Sequence, residues 1–152
     1  MREDWGMSAV DLSTHAGHLA RRLQQAHTIL WHTIVSEDTT SPQFTVLNAV
    51  ATGDDIDQRT VGELIGLDRS TTAEIVTRLA DRGLLRRIRD PRDGRRNLLR
   101  LTEEGKASHR QMARRVSRMN KVFLAPLDVG EQRMLLDLMR RVVSAADDFR
   151  EM

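Results

Sequence analysis

The sequence predicts a mainly α-helical fold with one small β-hairpin: a winged helix-turn-helix flanked by long amphipathic helices. Three observations carry this reading. Two short helical patterns meet at Gly66 in "VGELIGLDRSTTAEIVTRL", the spacing of a helix-turn-helix. Directly after them, "RRIRDPRDGRRNLLRLT" (residues 86–102) sets turn chemistry between two short apolar runs. On either side, apolar residues recur at the three-, four- and seven-residue spacings of an amphipathic helix.

The first helix opens near Ser13 and runs to about Val35, with Ala16, Leu19, Leu23, Leu30 and Ile34 on one stripe. "SEDTT" breaks it. Ser41 then caps a second helix whose first turn takes Pro42, and Phe44, Leu47 and Val50 line its buried side until "TGDD". Thr60 and Glu63 form a capping box for a third helix, with Val61, Leu64 and Ile65 facing inward. The fourth runs from about Ser70 to Arg82 on Ile75 and Leu79, and Gly83 stops it in a left-handed conformation. "LLRRI" and "NLLRL" are the strands of the wing, with "DPRDG" as their turn. Thr102 caps a fifth helix, with Glu103 and Glu104 at its positive end, running to about Leu124 on Met112, Val116, Met119 and Phe123. Pro126 interrupts it. Asp128 and Glu131 cap a last helix that is apolar along Met134, Leu135, Leu138, Val142 and Ala145. The expected organisation is a mobile tail over 1–12 that includes Trp5, a helix over 13–36, a winged lobe over 40–101, and further long helices over 102–152.

Cysteine is absent, which excludes disulfides, thiolate zinc sites and thiol redox switching. No apolar run approaches the ~20 residues that span a bilayer. The start, "MREDWGMSAVDLSTH", has no signal-peptide core, so the expectation is a cytoplasmic protein with no membrane partner. The net charge of +2 hides an uneven layout. Acids gather in "TGDDIDQ", in first helical turns and in "AADDFREM", while bases gather in 86–100 and along 106–121. Such a layout suits a protein with one face for a polyanion.

The hairpin concentrates this charge. Residues 86–102 hold seven arginines against two aspartates, a local charge of +5. Like charges on two short strands repel, so stability does not call for them. Arg92 and Arg95 flank the turn and Arg96 follows, where a narrow hairpin enters a minor groove and meets its negative potential. Asp90 and Asp93 are placed to hold neighbouring guanidinium groups. The exposed face of 68–82 adds Arg69, Ser70, Thr71, Thr72, Thr77 and Arg78. Short hydroxyls at a helix start meet phosphates, and the arginines reach phosphates or guanine edges. Taken singly, each feature also describes a solvated surface. Motif, element order and basic face together point to double-stranded DNA.

The stretch "LDRSTTAEIVTRLADRGLLRRIRDPRDGRRNLLRLTEEG" resembles the central region of MarR-type winged-helix transcription regulators, most specifically in its wing, "DPRDGRRNLLRLTEEG". The resemblance extends to "TSPQFTVLNAV" and to both flanking helices. It implies a homodimer, with the outer helices as dimerisation helices and a winged helix on each side. Arg95 would be the minor-groove arginine, Asp93 its support, and Ser70 to Thr72 the opening of the recognition helix. Dimerisation also follows from the apolar stripes on the first, fifth and last helices, which exceed what a small winged helix buries. Burial within one chain is the alternative. A two-fold dimer spaces its reading helices ~34 Å apart and matches an inverted-repeat operator.

A second constellation lies in "ARRLQQAHTILWHTIV". His27 takes a stripe position between Leu23 and Leu30, Trp31 lies one turn on, and Arg21 lies six residues earlier, ~9 Å along the axis. Arginine, imidazole and indole together suit a small aromatic carboxylate, and they equally suit a core histidine, a packing tryptophan and a surface arginine. The helix, with "HLARRLQQAH", resembles the branch of the family that responds to protocatechuate-like hydroxybenzoates. There, positions matching Arg21 and His27 contact the ligand; Trp31 is added from helix geometry. The reading is a repressor released from its operator by an aromatic acid, with no cofactor. Its rivals are an activator, an effector-insensitive DNA-binding protein, and an enzyme acting on aromatic acids, for which no nucleophile–base pair or paired acids are visible. His15 and His18 stand one turn apart, without a third ligand at metal spacing.

Overall fold

A computed structural model of the chain describes residues 11–53 and 55–148, so the expected tail, with Trp5, lies almost wholly outside the described residues. Along these the order is α1 (Ala16–Leu30), a π-helical turn (Trp31–Val35), α2 (Ser41–Thr52), α3 (Gln58–Ile65) and α4 (Arg69–Asp81). The hairpin β1 (Leu85–Arg89) and β2 (Asn97–Leu101) follows, then α5 (Glu103–Phe123) and α6 (Val129–Asp148). The strands pair antiparallel from Leu85 opposite Leu101 to Arg89 opposite Asn97. The loop before α3 joins them: the Leu99 amide donates to the Ile56 carbonyl at 2.8 Å.

Local chemistry sets most boundaries. The α4 terminus is a Schellman motif: Gly83 sits at φ 72°, its amide donates to Ala80 O, and the Leu84 amide reaches Leu79 O. Gly66 ends α3 at φ 68°. Thr102 Oγ1 accepts from the Gly105 amide at 2.9 Å, and Asp128 and Glu131 cap α6 reciprocally at 2.9 Å each.

Other boundaries differ from expectation, each for a nearby competing acceptor or packing demand. α1 begins at Ala16 rather than near Ser13, capped by the His15 ring Nδ1. Thr40 caps α2, one residue before Ser41, because Gln43 completes a capping box with it. At α3 the cap is Asp57, whose carboxylate takes both the amide and the hydroxyl of Thr60 at 2.8 Å; an ionised acceptor outcompetes a hydroxyl. Glu63 turns instead to Arg59. Leu64, expected inward, is 67% exposed, since so short a helix buries only Val61 and Gly62. The end of the first helix widens into the π turn, which buries both Trp31 and Val35 and offers the Val35 carbonyl to Arg115 Nη1 at 2.9 Å.

One core runs through the molecule, from Trp31 and Val35 through Leu47, Val76, Leu79 and Leu99 to Met112 and Met119. The α5 stripe is therefore largely covered within the chain, contrary to its expected share in an open dimer face. By contrast α6 carries no buried side chain, and Leu19, Leu23, Leu138 and Val142 lie open, Val142 at 71%. Close approaches hold the reading lobe together. α4 crosses Gly62 so closely that a Cβ there would sit 2.9 Å from Thr72 Oγ1.

Candidate nucleic-acid interface

α3, α4 and the hairpin enclose a groove of about 750 Å³, lined by Arg59, Arg69, Arg87, Arg95 and Arg96 together with Asp57 and Glu63. Strand alternation builds it. Arg87, Asn97 and Leu99 share the hairpin face turned to α4, and Arg87 Nη2 donates to Thr77 Oγ1 at 3.1 Å, tying wing to helix. Along α4, Arg69, Ser70, Thr77 and Arg78 are exposed. Thr71 is half-buried and donates to the Asp68 carboxylate at 2.6 Å. Thr72 departs from the expected DNA face. It is 1% exposed and donates its hydroxyl to the Asp68 carbonyl at 2.8 Å, because α3 packs against it at Gly62.

The wing is braced by acids. Asp90 is 3% exposed, accepts the Arg92 amide at 2.8 Å and lies 3.5 Å from Arg92 Nε. That amide hydrogen bond, with the Arg92 and Arg96 charges behind it, holds the Asp90 carboxyl below the usual carboxylate range. Asp93 behaves otherwise than expected. It accepts the Arg95 amide at 3.0 Å, so it shapes the turn and does not grip a guanidinium. Two acids not singled out as supports do the gripping. Asp55 pairs with Arg92 at 2.6 Å and with Arg100, and Asp57 pairs with Arg96 at 2.8 Å. Their signal was the acidic run "TGDDIDQ", visible in the sequence without its partners. Arg95 is left without a carboxylate partner among the described residues, beside the groove it lines.

A second cluster lies where the π turn meets α5. The His27 ring is 6.0 Å from Trp31 and meets Phe123 edge-on at 5.7 Å. Trp31 is 3% exposed and donates its indole N–H to the Thr39 carbonyl at 2.6 Å, so it offers a neighbour only its ring. Phe44 continues the run at 5.6 Å from Trp31, and His109 stacks on it at 5.6 Å. Burial pushes the His27 imidazole below its ordinary value, favouring the neutral ring. The structure brings His27 and Trp31 together. Arg21, in contrast, is exposed, with Nη2 3.3 Å from His18 Nδ1, and no contact among the described residues brings it to His27. Phe44, Phe123 and His109 were not expected here; only tertiary packing collects them. Among the described residues no group of three or more His, Asp or Glu is placed to hold a metal ion, and no helix is long and apolar enough to cross a membrane.

The model of the MarR family matches residues 37–96, the span from the loop before α2 to the end of the wing turn. The transcriptional regulator HosA of Escherichia coli O111:H- is 34% identical over 134 residues, covering 88% of this chain and 98% of HosA. The chain belongs to the MarR family. It is accordingly a DNA-binding transcriptional regulator on the winged-helix fold. Among solved MarR-type structures, the PcaV transcriptional regulator from Streptomyces coelicolor, in complex with its natural ligand, superposes with a TM-score of 0.88 at 64% identity. That match covers 92% of this chain and 99% of PcaV. BpsR of Bordetella bronchiseptica, whose DNA binding is regulated by 6-hydroxynicotinic acid, superposes with a TM-score of 0.82 at 28% identity, covering 90% of this chain and 98% of BpsR.

Proposed function

We propose that this MarR-family protein is a homodimeric repressor that holds an inverted-repeat operator and releases it when a small aromatic carboxylate, such as a hydroxybenzoate, binds. The observation that carries the DNA half is the arginine-lined groove shared by α4 and the wing. In this reading Arg69, Ser70 and Arg78 meet the major groove, with Thr71 bonded into the N-cap of their helix and Thr77 tying that helix to the wing. Arg95 enters the minor groove while Asp90 and Asp93 shape the turn and Arg92 and Arg96 stay braced. The open apolar face of α6 and of the first half of α1 supports a two-fold partner, so that residues 13–36 and 102–152 serve as dimerisation helices around a reading lobe at 40–101.

The ring cluster supports the effector half. His27, Trp31 and Phe123 offer ring edges and faces to an aromatic body, and Arg21, on the same helix, offers charge to its carboxylate. PcaV with its natural ligand and BpsR with 6-hydroxynicotinic acid lend the same direction. The ligand acts by binding best to a spacing of the reading lobes that does not fit the operator. The test is operator anisotropy with a hydroxybenzoate panel. One member should weaken the wild-type complex at least ~5-fold, the low end of allosteric coupling. R21A should retain operator affinity and lose that response. An operator complex indifferent to every member would leave an effector-insensitive DNA-binding protein, and consumption of the acid would point to an enzyme.

A further inference from the structure

We propose a second ligand site at the root of the wing, in a cleft between the hairpin, the end of α2 and the start of α5, that takes a small organic oxyanion. The cleft is about 380 Å³ and is walled by Arg86, Arg100, Lys106 and Arg110 over a floor that includes Val50 and Leu101.

The charge layout is the first argument. Arg86 and Arg100 face each other directly across the two strands, an arrangement that like charges disfavour. One turn of α5 adds Lys106 and Arg110 to the same wall. Asp55 answers Arg100, and Glu103 answers Lys106 at 2.7 Å. Arg86 and Arg110 form no ion pair among the described residues, and the carboxylate their charges reach is Glu103, already paired with Lys106. Four cations gathered from separate elements share two carboxylates, Asp55 and Glu103, which leaves a positive surplus that a bound oxyanion offsets.

Strand alternation then separates this cleft from the operator. Arg87, Asn97 and Leu99 line the groove beside α4, whereas Arg86 and Arg100 point to the opposite face of the hairpin. The wing turn begins at Asp90, four residues beyond Arg86 and about 13 Å away at the strand rise. Duplex held by α4 and the wing tip therefore leaves the cleft open. The aliphatic floor and a volume larger than a bare oxyanion needs favour a compact carbon body bearing carboxylate or phosphate. His109 closes one side as a fixed wall, bonded to Asn48 Oδ1 at 3.0 Å and stacked on Phe44.

The experiment uses the full chain carrying R21A and H27A, so that the effector-binding residues proposed on α1 do not contribute. Benzoate, inorganic phosphate and uncharged benzamide are titrated by calorimetry and by the His109 ring resonances. Benzoate should bind and shift His109, phosphate should bind at least threefold more weakly, and benzamide should not bind. Adding R86Q and R110Q should weaken benzoate at least tenfold while operator affinity and melting temperature hold. The proposal is overturned by absent benzoate binding, by benzamide binding equally, or by phosphate matching benzoate. It is likewise overturned if R86Q/R110Q leaves benzoate unchanged, or lowers operator affinity in parallel, which would make the cleft a DNA contact. Because the effector-binding residues proposed on α1 are removed throughout, these results stand apart from the hydroxybenzoate response of the wild-type operator complex.

Discussion

Replacing Gly105 by alanine tests the joint between wing and α5. Glycine inside a helix is a poor helix former, so propensity alone says that alanine stabilises by about 1 kcal/mol. The structure says the reverse. A Cβ at Gly105 would lie 2.0 Å from the Leu84 carbonyl oxygen and 2.9 Å from its carbon, so the backbones must part by about 1.4 Å to restore ordinary contact. The atom struck is fixed backbone. Leu84 O accepts the Thr102 amide at 3.1 Å, and Thr102 Oγ1 both caps α5 at the Gly105 amide and donates to Gly83 O at 2.6 Å. Overpacking costs about 1–3 kcal/mol, and a disturbed cap about 1 kcal/mol. Against the propensity gain this leaves a net loss of about 1–3 kcal/mol, or a melting temperature about 3–10 °C lower for a chain of this size. Thermal and urea melts at matched protein concentration measure it, with concentration held fixed because any self-association shifts the midpoint. An unchanged or raised midpoint would refute the reasoning, showing that Leu84 yields freely and that propensity governs this position.

At the wing, R95A should lower operator affinity at fixed salt by tenfold or more and reduce the salt slope by about two, one for each copy in the proposed dimer. R92A should do less to affinity, because Arg92 is already engaged by Asp55 and Asp90; equal losses would remove the special role of Arg95. Acid should unfold the reading lobe from its caps and turn. Asp57, Asp68 and Asp90 are held below the ordinary carboxylate range, chiefly by hydrogen bonds from the Thr60 amide, the Thr71 hydroxyl and the Arg92 amide respectively. Their folded values lie below the unfolded ones. The stability they contribute is thus fully present above about pH 4–5 and is lost as pH falls through the folded values. Melts from neutral to acid pH should be flat, then fall. A D57N/D68N/D90N variant should lose part of that fall, and an identical acid profile would show that these carboxylates are not responsible.

Features closed within a few residues were legible before any coordinates. Gly83 as a left-handed stop, Gly66 as the turn between two helices, Thr102 as a cap, Asp128 and Glu131 capping the last helix and the two strands around "DPRDG" each depend on atoms no more than a turn away, so composition and spacing suffice. The expected caps Ser41 and Thr60 gave way to Thr40 and Asp57, one and three residues earlier, because geometry and not spacing chooses between neighbouring acceptors. The charge of the wing was equally plain. Which arginines are braced was not, because Asp55 and Asp57 reach Arg92, Arg96 and Arg100 across some forty residues of chain.

Local chemistry, in short range, decided the elements, their order and the sign of the reading surface, and with them a DNA-binding winged helix. Packing decided the rest. It turned Thr72 inward against Gly62, covered the α5 stripe, widened the turn that buries Trp31, and collected Phe44, His109 and Phe123 beside His27 while leaving Arg21 apart. Contacts between residues far apart in sequence depend on where whole helices cross, and a crossing is settled by the summed burial of many side chains rather than by the identity of any one.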